Sequence, residues 1–149
     1  MDPKMKELLK EFEKEIVCMC WDSIEVYGPI LKLMTEDTNI TLTKIDNKYF
    51  LEYEGPYDYK IGLYKSPDEI RKVLKSKEAL EEMRKLAAEE PPLSESQKEA
   101  IRKGLRVGKD IYTVSREVET FPLVVYEFAK KENLPINLPI KYIGETERR

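Results

Sequence analysis

The chain has 149 residues, enough for one ordinary hydrophobic core or for two small units, and its net charge of −3 argues against a general polyanion binder. Charged residues make up 37% of it, above the usual share of about a quarter, with no histidine and with Gln97 as the only glutamine, a Lys/Glu-rich balance of thermophilic type. No apolar run approaches the roughly 18 residues of a membrane span, and the charged start of the chain is not a signal peptide, so a cytoplasmic protein without a membrane partner is expected.

The first element is expected to be a helix over residues 3–27. Met5, Leu8, Leu9, Phe12, Ile16, Met19, Cys20, Ile24 and Tyr27 fall near one face at a 3.6-residue period. Gly28-Pro29 breaks it, and Ile30 to Met34 is read as a short resumption of helix. A polar loop, residues 35–39, precedes three strands. Residues 40–43 alternate, Asp46-Asn47 supplies a hairpin turn, residues 49–53 return, and Gly55-Pro56 turns the chain into residues 59–64. These strands make a three-stranded antiparallel meander, which needs a helix on one face. Ser66-Pro67-Asp68-Glu69 starts that helix, with a cap, a proline in the first turn and a capping-box glutamate. Ile70, Val73, Leu74, Leu80, Met83, Leu86 and Ala87 carry its apolar stripe to about Glu89, and Pro91-Pro92 marks a boundary.

Beyond the prolines the punctuation changes. Ser94 and Gln97 have the spacing of a capping box, and Ala100, Ile101 and Leu105 recur at helical spacing up to Gly108. Asp110 can cap a second helix with the stripe Ile111, Val114 and Val118, and Ser115 is its small residue. After a short turn, Pro122 opens a third helix whose buried face is Val125, Phe128 and Ala129, ended by Asn133 and Pro135. The remainder, residues 135–149, reads as an extended tail with a short strand at 140–143 serving as an edge or a pairing arm.

The segment LSESQKEAIRKGLRVGKDIYTVSREVETFPLVVYEFAKK resembles the tri-helical helix-turn-helix of resolvase- and transposase-type DNA-binding domains, most closely in VSREV and VVYEFAKK. The resemblance implies that Ser115 lies at the helix crossing. It also implies that Val125 and Tyr126 begin the buried side of a helix that enters the major groove of double-stranded DNA. The chain departs from the family in its turn, where Glu119 replaces glycine at an expected cost of roughly 1 kcal/mol if the backbone is left-handed. It departs again at the base-reading places, which hold Phe121, Leu123 and Val124, and at Glu127, where an arginine is common. Leu123 and Val124 either touch thymine methyls or are buried.

On this reading the expected DNA-contacting residues are Arg102, Lys103, Arg106, Lys109, Arg116, Leu123, Val124, Glu127, Lys130 and Lys131. Residues 1–90 carry 15 basic and 20 acidic groups, and residues 91–149 carry 11 and 9, which favours the C-terminal part as the side that meets DNA. The fold class expected is α+β: residues 1–90 as a unit for dimerisation or partner contact, 93–134 as the helix-turn-helix, 135–149 as the tail. The function expected is that of a small homodimeric transcriptional regulator, not an enzyme, with no cofactor. The alternatives are a protein-interaction adaptor with a degenerate helix-turn-helix and a small metal-dependent nuclease, for which Asp58 and Lys60 are the residues to inspect. Cys18 and Cys20, about 200° apart on a helix, cannot share a metal and are expected to be buried as small hydrophobes. Five of the nine tyrosines lie between Tyr49 and Tyr64, which raises a base-stacking platform on the sheet as a further possibility.

Overall fold

Strict alternation organises the first half of the chain. In Ser23–Tyr27 (β1), Ile30–Met34 (β2), Asn39–Ile45 (β3) and Lys48–Glu54 (β4), buried side chains alternate with partly exposed ones, and Tyr59–Tyr64 (β5) follows as a fifth strand. The computed structural model describes residues 2–144. These strands form an antiparallel meander, and Ile140–Tyr142 (β6) adds to β1 in parallel, giving one sheet of order β5-β4-β3-β2-β1-β6. With the helices the fold is α+β.

The sheet has an apolar face and a mixed face. Ile24, Val26, Leu31, Leu33, Ile40, Leu42, Tyr49 and Leu51 are buried and share one side by their cross-strand registers. Pro3–Glu11 (α1) lays Met5 and Leu8 into the same core, joined by Phe12, and Pro67–Leu74 (α3) adds Ile70. Between them, Glu13–Cys18 (α2) adds Ile16. Asp2 caps α1 by accepting from the amides of Lys4 and Met5, and Ser66 caps α3 by accepting from Glu69 N–H.

Several elements differ from the sequence expectation. The helix expected over 3–27 ends at Cys18, where Cys20 takes a positive φ of 50°, and Ile24 to Tyr27 are strand. Gly28-Pro29 is the turn of a β-hairpin closed by the Tyr27–Ile30 pair, with Gly28 at φ 58° before a proline. Residues 30–34 are therefore strand rather than helix, and the sheet has six strands instead of three. In the hairpin between β3 and β4, Asp46 takes the left-handed conformation at φ 55°. The helix expected over 66–89 is two helices, because Lys75 turns left-handed at φ 55° between α3 and Ser76–Ala88 (α4). No apolar residue of α4 is fully buried, and of the two helices α3 alone adds a buried apolar residue, Ile70.

Arg71 of α3 joins the covering helices. Its guanidinium donates to the Glu11 carbonyl at the end of α1, pairs with Glu15 of α2 and with Asp68, and stacks 5.3 Å over the Phe12 ring. Glu15 is buried and its second carboxylate oxygen has no hydrogen-bond partner among the described residues, so Arg71 is its principal charge compensation. Arg71→Leu is expected to cost about 3–5 kcal/mol by leaving that carboxylate uncompensated, and adding Glu15→Leu to recover part of the loss. Urea denaturation of the two single variants and the double variant measures this; purely additive losses would contradict it.

A second polar group reaches from the sheet to α1. Lys44 of β3 bonds Glu7 at 2.8 Å and lies 3.5 Å from Glu11, while the Tyr49 hydroxyl donates to Glu11. The Glu7 contact holds the Lys44 ammonium above its ordinary value of 10.5, and burial followed by the Glu11 hydrogen bond holds the Tyr49 phenol above 10.0. Both groups keep their protons longer folded than unfolded. Their stabilisation is complete below about pH 10 and is lost as pH rises further. Thermal melts from neutral pH to pH 11 are expected to show a falling Tm at the alkaline end, with a shallower fall in Tyr49→Phe. An unchanged alkaline slope in that variant would contradict the assignment.

Candidate nucleic-acid interface

The chain divides into two compact units, one comprising the residues up to Ile16, Trp21–Lys77 and the strand from Ile140, the other Val17–Cys20 and Glu78–Pro139. The second unit holds Glu95–Arg106 (α5), Ile111–Glu117 (α6) and Pro122–Lys131 (α7). All three helix starts fall where the sequence placed them. Ser94 and Gln97 make both bonds of the capping box, Asp110 accepts from Tyr112 and Thr113 N–H, and Pro122 lies in the first turn of α7. Gln97 goes further: its Nε2 donates 2.7 Å to the Val118 carbonyl at the end of α6.

Ile101, Leu105, Ile111, Val114, Leu123, Val125, Tyr126, Ala129 and Leu134 are among the unit's buried apolar residues, and Ser115 is buried as well, its hydroxyl bonded to the Tyr112 carbonyl. Gly104 also matters at a helix crossing: a Cβ there would lie 3.1 Å from a Val114 methyl. Sequence reading picked Ser115 for the close approach and passed over Gly104, whose signal is a glycine in mid-helix. It also missed Asn137. That side chain donates 2.9 Å to the carbonyls of both Leu105 and Lys109, and the Asn137 backbone carbonyl accepts from Ile111 N–H. Residues of the expected tail therefore lock the α5–α6 turn, and Ile140–Tyr142 is sheet; residues 145–149 lie outside the described residues.

The ten expected DNA-contacting residues separate into groups. Lys103 and Arg106 near the end of α5, Arg116 on α6 and Lys130 and Lys131 at the end of α7 are exposed, with Lys130 5.5 Å over the Tyr126 ring and Arg116 donating 3.3 Å to the Thr113 hydroxyl. Arg102 is engaged: it pairs with Glu132 at 2.7 Å and Glu99 at 3.3 Å, and stacks over Phe128. That contact holds the Glu132 carboxyl below its ordinary value. Lys109 binds both oxygens of Glu117, at 2.9 and 3.0 Å. Glu127 is exposed on α7, and Val124 is half-buried. Leu123 is 0% exposed, so it belongs to the core and is removed from the DNA-contacting set. At the start of α7, where a recognition helix reads bases, Phe121 gives no side-chain cap and Pro122 is buried. Of the side chains there, none is an Arg, Lys, Asn or Gln that could reach a base edge.

The other candidate chemistries gain little from the geometry. Asp58 and Lys60 form a surface pair at 3.7 Å, and Lys60 also donates to the Val73 carbonyl. Among the described residues no group of three or more His, Cys, Asp or Glu side chains converges as metal donors. The tyrosines of the sheet do not make one platform: Tyr49 is in the core, while Tyr59 lies on the opposite face with Glu54. Cys18 is buried as expected, but Cys20 is exposed, and partial burial raises its thiol pKa, the reverse of an activated cysteine. No helix among the described residues is long and apolar enough to cross a membrane. Comparison of the chain with protein-family models, curated proteins and solved structures found no match.

The turn before α7 yields a direct test of local strain. Glu119 has φ 58°, the left-handed conformation, and its side chain is exposed. Glu119→Gly is expected to raise stability by roughly 0.5–1 kcal/mol, and Glu119→Val to lower it. Thermal melts of both variants check this; a destabilised glycine variant would mean that the carboxylate makes a compensating contact.

Proposed function

We propose that the protein contacts double-stranded DNA through α5–α7, as a homodimeric DNA-binding protein that grips phosphates rather than reading bases. The observation that carries this reading is a tri-helical unit with Lys103, Arg106, Arg116, Lys130 and Lys131 exposed on it. Phosphate contact requires only cations within reach, and these residues supply them. Base readout requires polar side chains at the start of α7, where this chain has Phe121, Pro122 and Leu123. Such a protein acts in the cytoplasm, and its role in transcription would be architectural, or would depend on a partner for sequence choice.

Binding is expected to be weak and strongly salt-dependent. About four phosphate contacts would give a slope of log affinity against log salt near −3 to −4. Replacing Lys130 and Lys131 together with alanine is expected to reduce the magnitude of the slope by about 2 and to weaken binding equally on unrelated sequences. Fluorescence anisotropy with two unrelated duplexes over a salt series measures both effects. An unchanged slope would remove α7 from the interface.

A second reading is favoured by one observation. Arg102 and Lys109 are already paired with carboxylates, and Glu127 stands exposed on α7, so the field on this surface is mixed. That pattern suits an acidic-and-basic protein surface as an adaptor's partner. Failure of the wild-type protein to bind either duplex at low salt would favour it.

A further inference from the structure

The two edges of the sheet are unlike. β6 is three residues long, and short strands are a usual way of blunting an edge. β5 is six residues long and has no buried residue, and on one face it carries Tyr59, Ile61 and Leu63 at 54%, 55% and 53% exposure. A six-residue edge with exposed apolar side chains is a template for another strand; its one charge, Lys60, lies on the other face and donates to the Val73 carbonyl.

The hydrogen-bond phase of that edge follows from two hairpins. Asp46-Asn47 joins Ile45 to Lys48, the close hydrogen-bonded pair of a two-residue turn. Alternation along the ladder then directs Phe50, Glu52 and Glu54 toward β3, and Tyr49, Leu51 and Tyr53 toward β5. The next turn gives the same phase independently: Gly55 N–H donates to Asp58 O at 2.9 Å, which makes Tyr53–Lys60 the next bonded pair. Lys60, Gly62 and Tyr64 therefore bond inward to β4. The backbone N–H and C=O groups of Tyr59, Ile61 and Leu63 point off the sheet, and their apolar side chains lie on its uncovered face.

We infer that this edge pairs with β5 of a second copy, antiparallel about a twofold axis at Ile61, forming one continuous sheet across the dimer. The register is selected by chemistry. Only odd-numbered residues present outward hydrogen-bonding groups, so bonded pairs must join odd residues to odd residues. Centring the axis on Ile61 sets Ile61 opposite itself and Tyr59 opposite Leu63 of the second copy, joining all the apolar side chains in one cluster. Lys60, the only charged residue of β5, then faces Gly62, which has no side chain to oppose it. Sliding one way sets Lys60 against Lys60, a like-charge pair; sliding the other way leaves Tyr59 unpaired.

Area sets the strength. Three side chains about half exposed offer on the order of 100 Å² each, and part of it stays open on the sheet face, so the two copies bury at most on the order of 600 Å² of side chain, with backbone in addition. That is below the roughly 1,200 Å² of a standard stable interface, so the dimer is weak, with a Kd on the order of 10–100 μM. The pairing is independent of DNA contact and is read without DNA.

The test uses the full chain. Sedimentation over a concentration series is expected to show a monomer–dimer equilibrium, and Ile61→Lys, which sets two ammonium groups face to face on the axis, to weaken it at least about tenfold. Far-UV circular dichroism and Tm of that variant should be unchanged, because the side chain is on the exposed face. In a Cys20→Ser background, Ile61→Cys is expected to form an intermolecular disulfide on mild oxidation, since facing bonded pairs lie about 5.5 Å apart between Cα atoms, within disulfide reach. Leu63→Cys is not expected to cross-link, because it faces residue 59. A full chain that stays monomeric at about 200 μM, a dimer indifferent to Ile61→Lys, or equal cross-linking at 61 and 63 would each overturn the proposal.

Discussion

The Arg71 guanidinium holds together the layer on which the first unit depends. An antiparallel sheet with one apolar face is stable only when that face is covered, and here the cover comes from separate short helices rather than one long one. Arg71 bonds the last carbonyl of α1, the buried Glu15 of α2 and Asp68 of its own helix, and lies on Phe12. It thereby satisfies a helix-end carbonyl and compensates a buried charge at the point where the chain breaks between α1 and α2. Lys44 and Tyr49 fasten the same helix to β3 and β4 through Glu7 and Glu11. The apolar burial supplies the driving force, and these polar contacts fix which helix covers which strands.

The cover is one-sided. The opposite face of the sheet carries Thr41, Thr43, Lys32, Glu25 and Glu52, which are polar, interspersed with Tyr27, Ile30 and Met34 on β1 and β2 and with Phe50, Ile61 and Leu63 on β4 and β5. A shallow depression of about 260 Å³ on this face is lined by Lys32, Thr41, Glu52 and Glu54 among others. Its lining is polar and solvated, with no converging donor set of a catalytic kind. The capacity of this unit for partners therefore lies at its apolar edge, while the cations suited to DNA lie on the other unit.

Much of this was legible in the residues, and the failures have physical causes. Capping residues are local devices, so Ser66, Ser94, Asp110 and Pro122 located four helix starts without any tertiary information. Strands β3 to β5 were legible because alternation and turn residues agreed. β1 and β2 were not, because Ile24 and Tyr27, three residues apart, fit a helical period and mask the Ile24/Val26 alternation of the strand, and a segment as short as Ile30–Met34 cannot be assigned by period alone. Gly28-Pro29 reads as a helix break and as a hairpin turn with equal ease. The left-handed Lys75 and Cys20 carry no sequence signal, because neither is the glycine or asparagine that ordinarily marks such a conformation. On the third helix of the resembling segment, Leu123 looked misplaced for a base reader; its burial gives the reason, and leaves the exposed cations as the DNA-facing part of the proposal. Asn137 could not be found by period or motif, because its role is to satisfy carbonyls some thirty residues away.

The proposed pairing depends on an edge whose hydrogen-bonding groups are unpaired within one copy, and amide hydrogen exchange reads those groups one by one. The Gly62 amide, bonded inward to β4, should be protected at every protein concentration. The Ile61 and Leu63 amides should exchange rapidly in dilute protein and slow progressively as concentration rises through the Kd of the pair. Rapid exchange at Ile61 and Leu63 at all concentrations, with Gly62 protected throughout, would show that the edge stays open and would contradict the account.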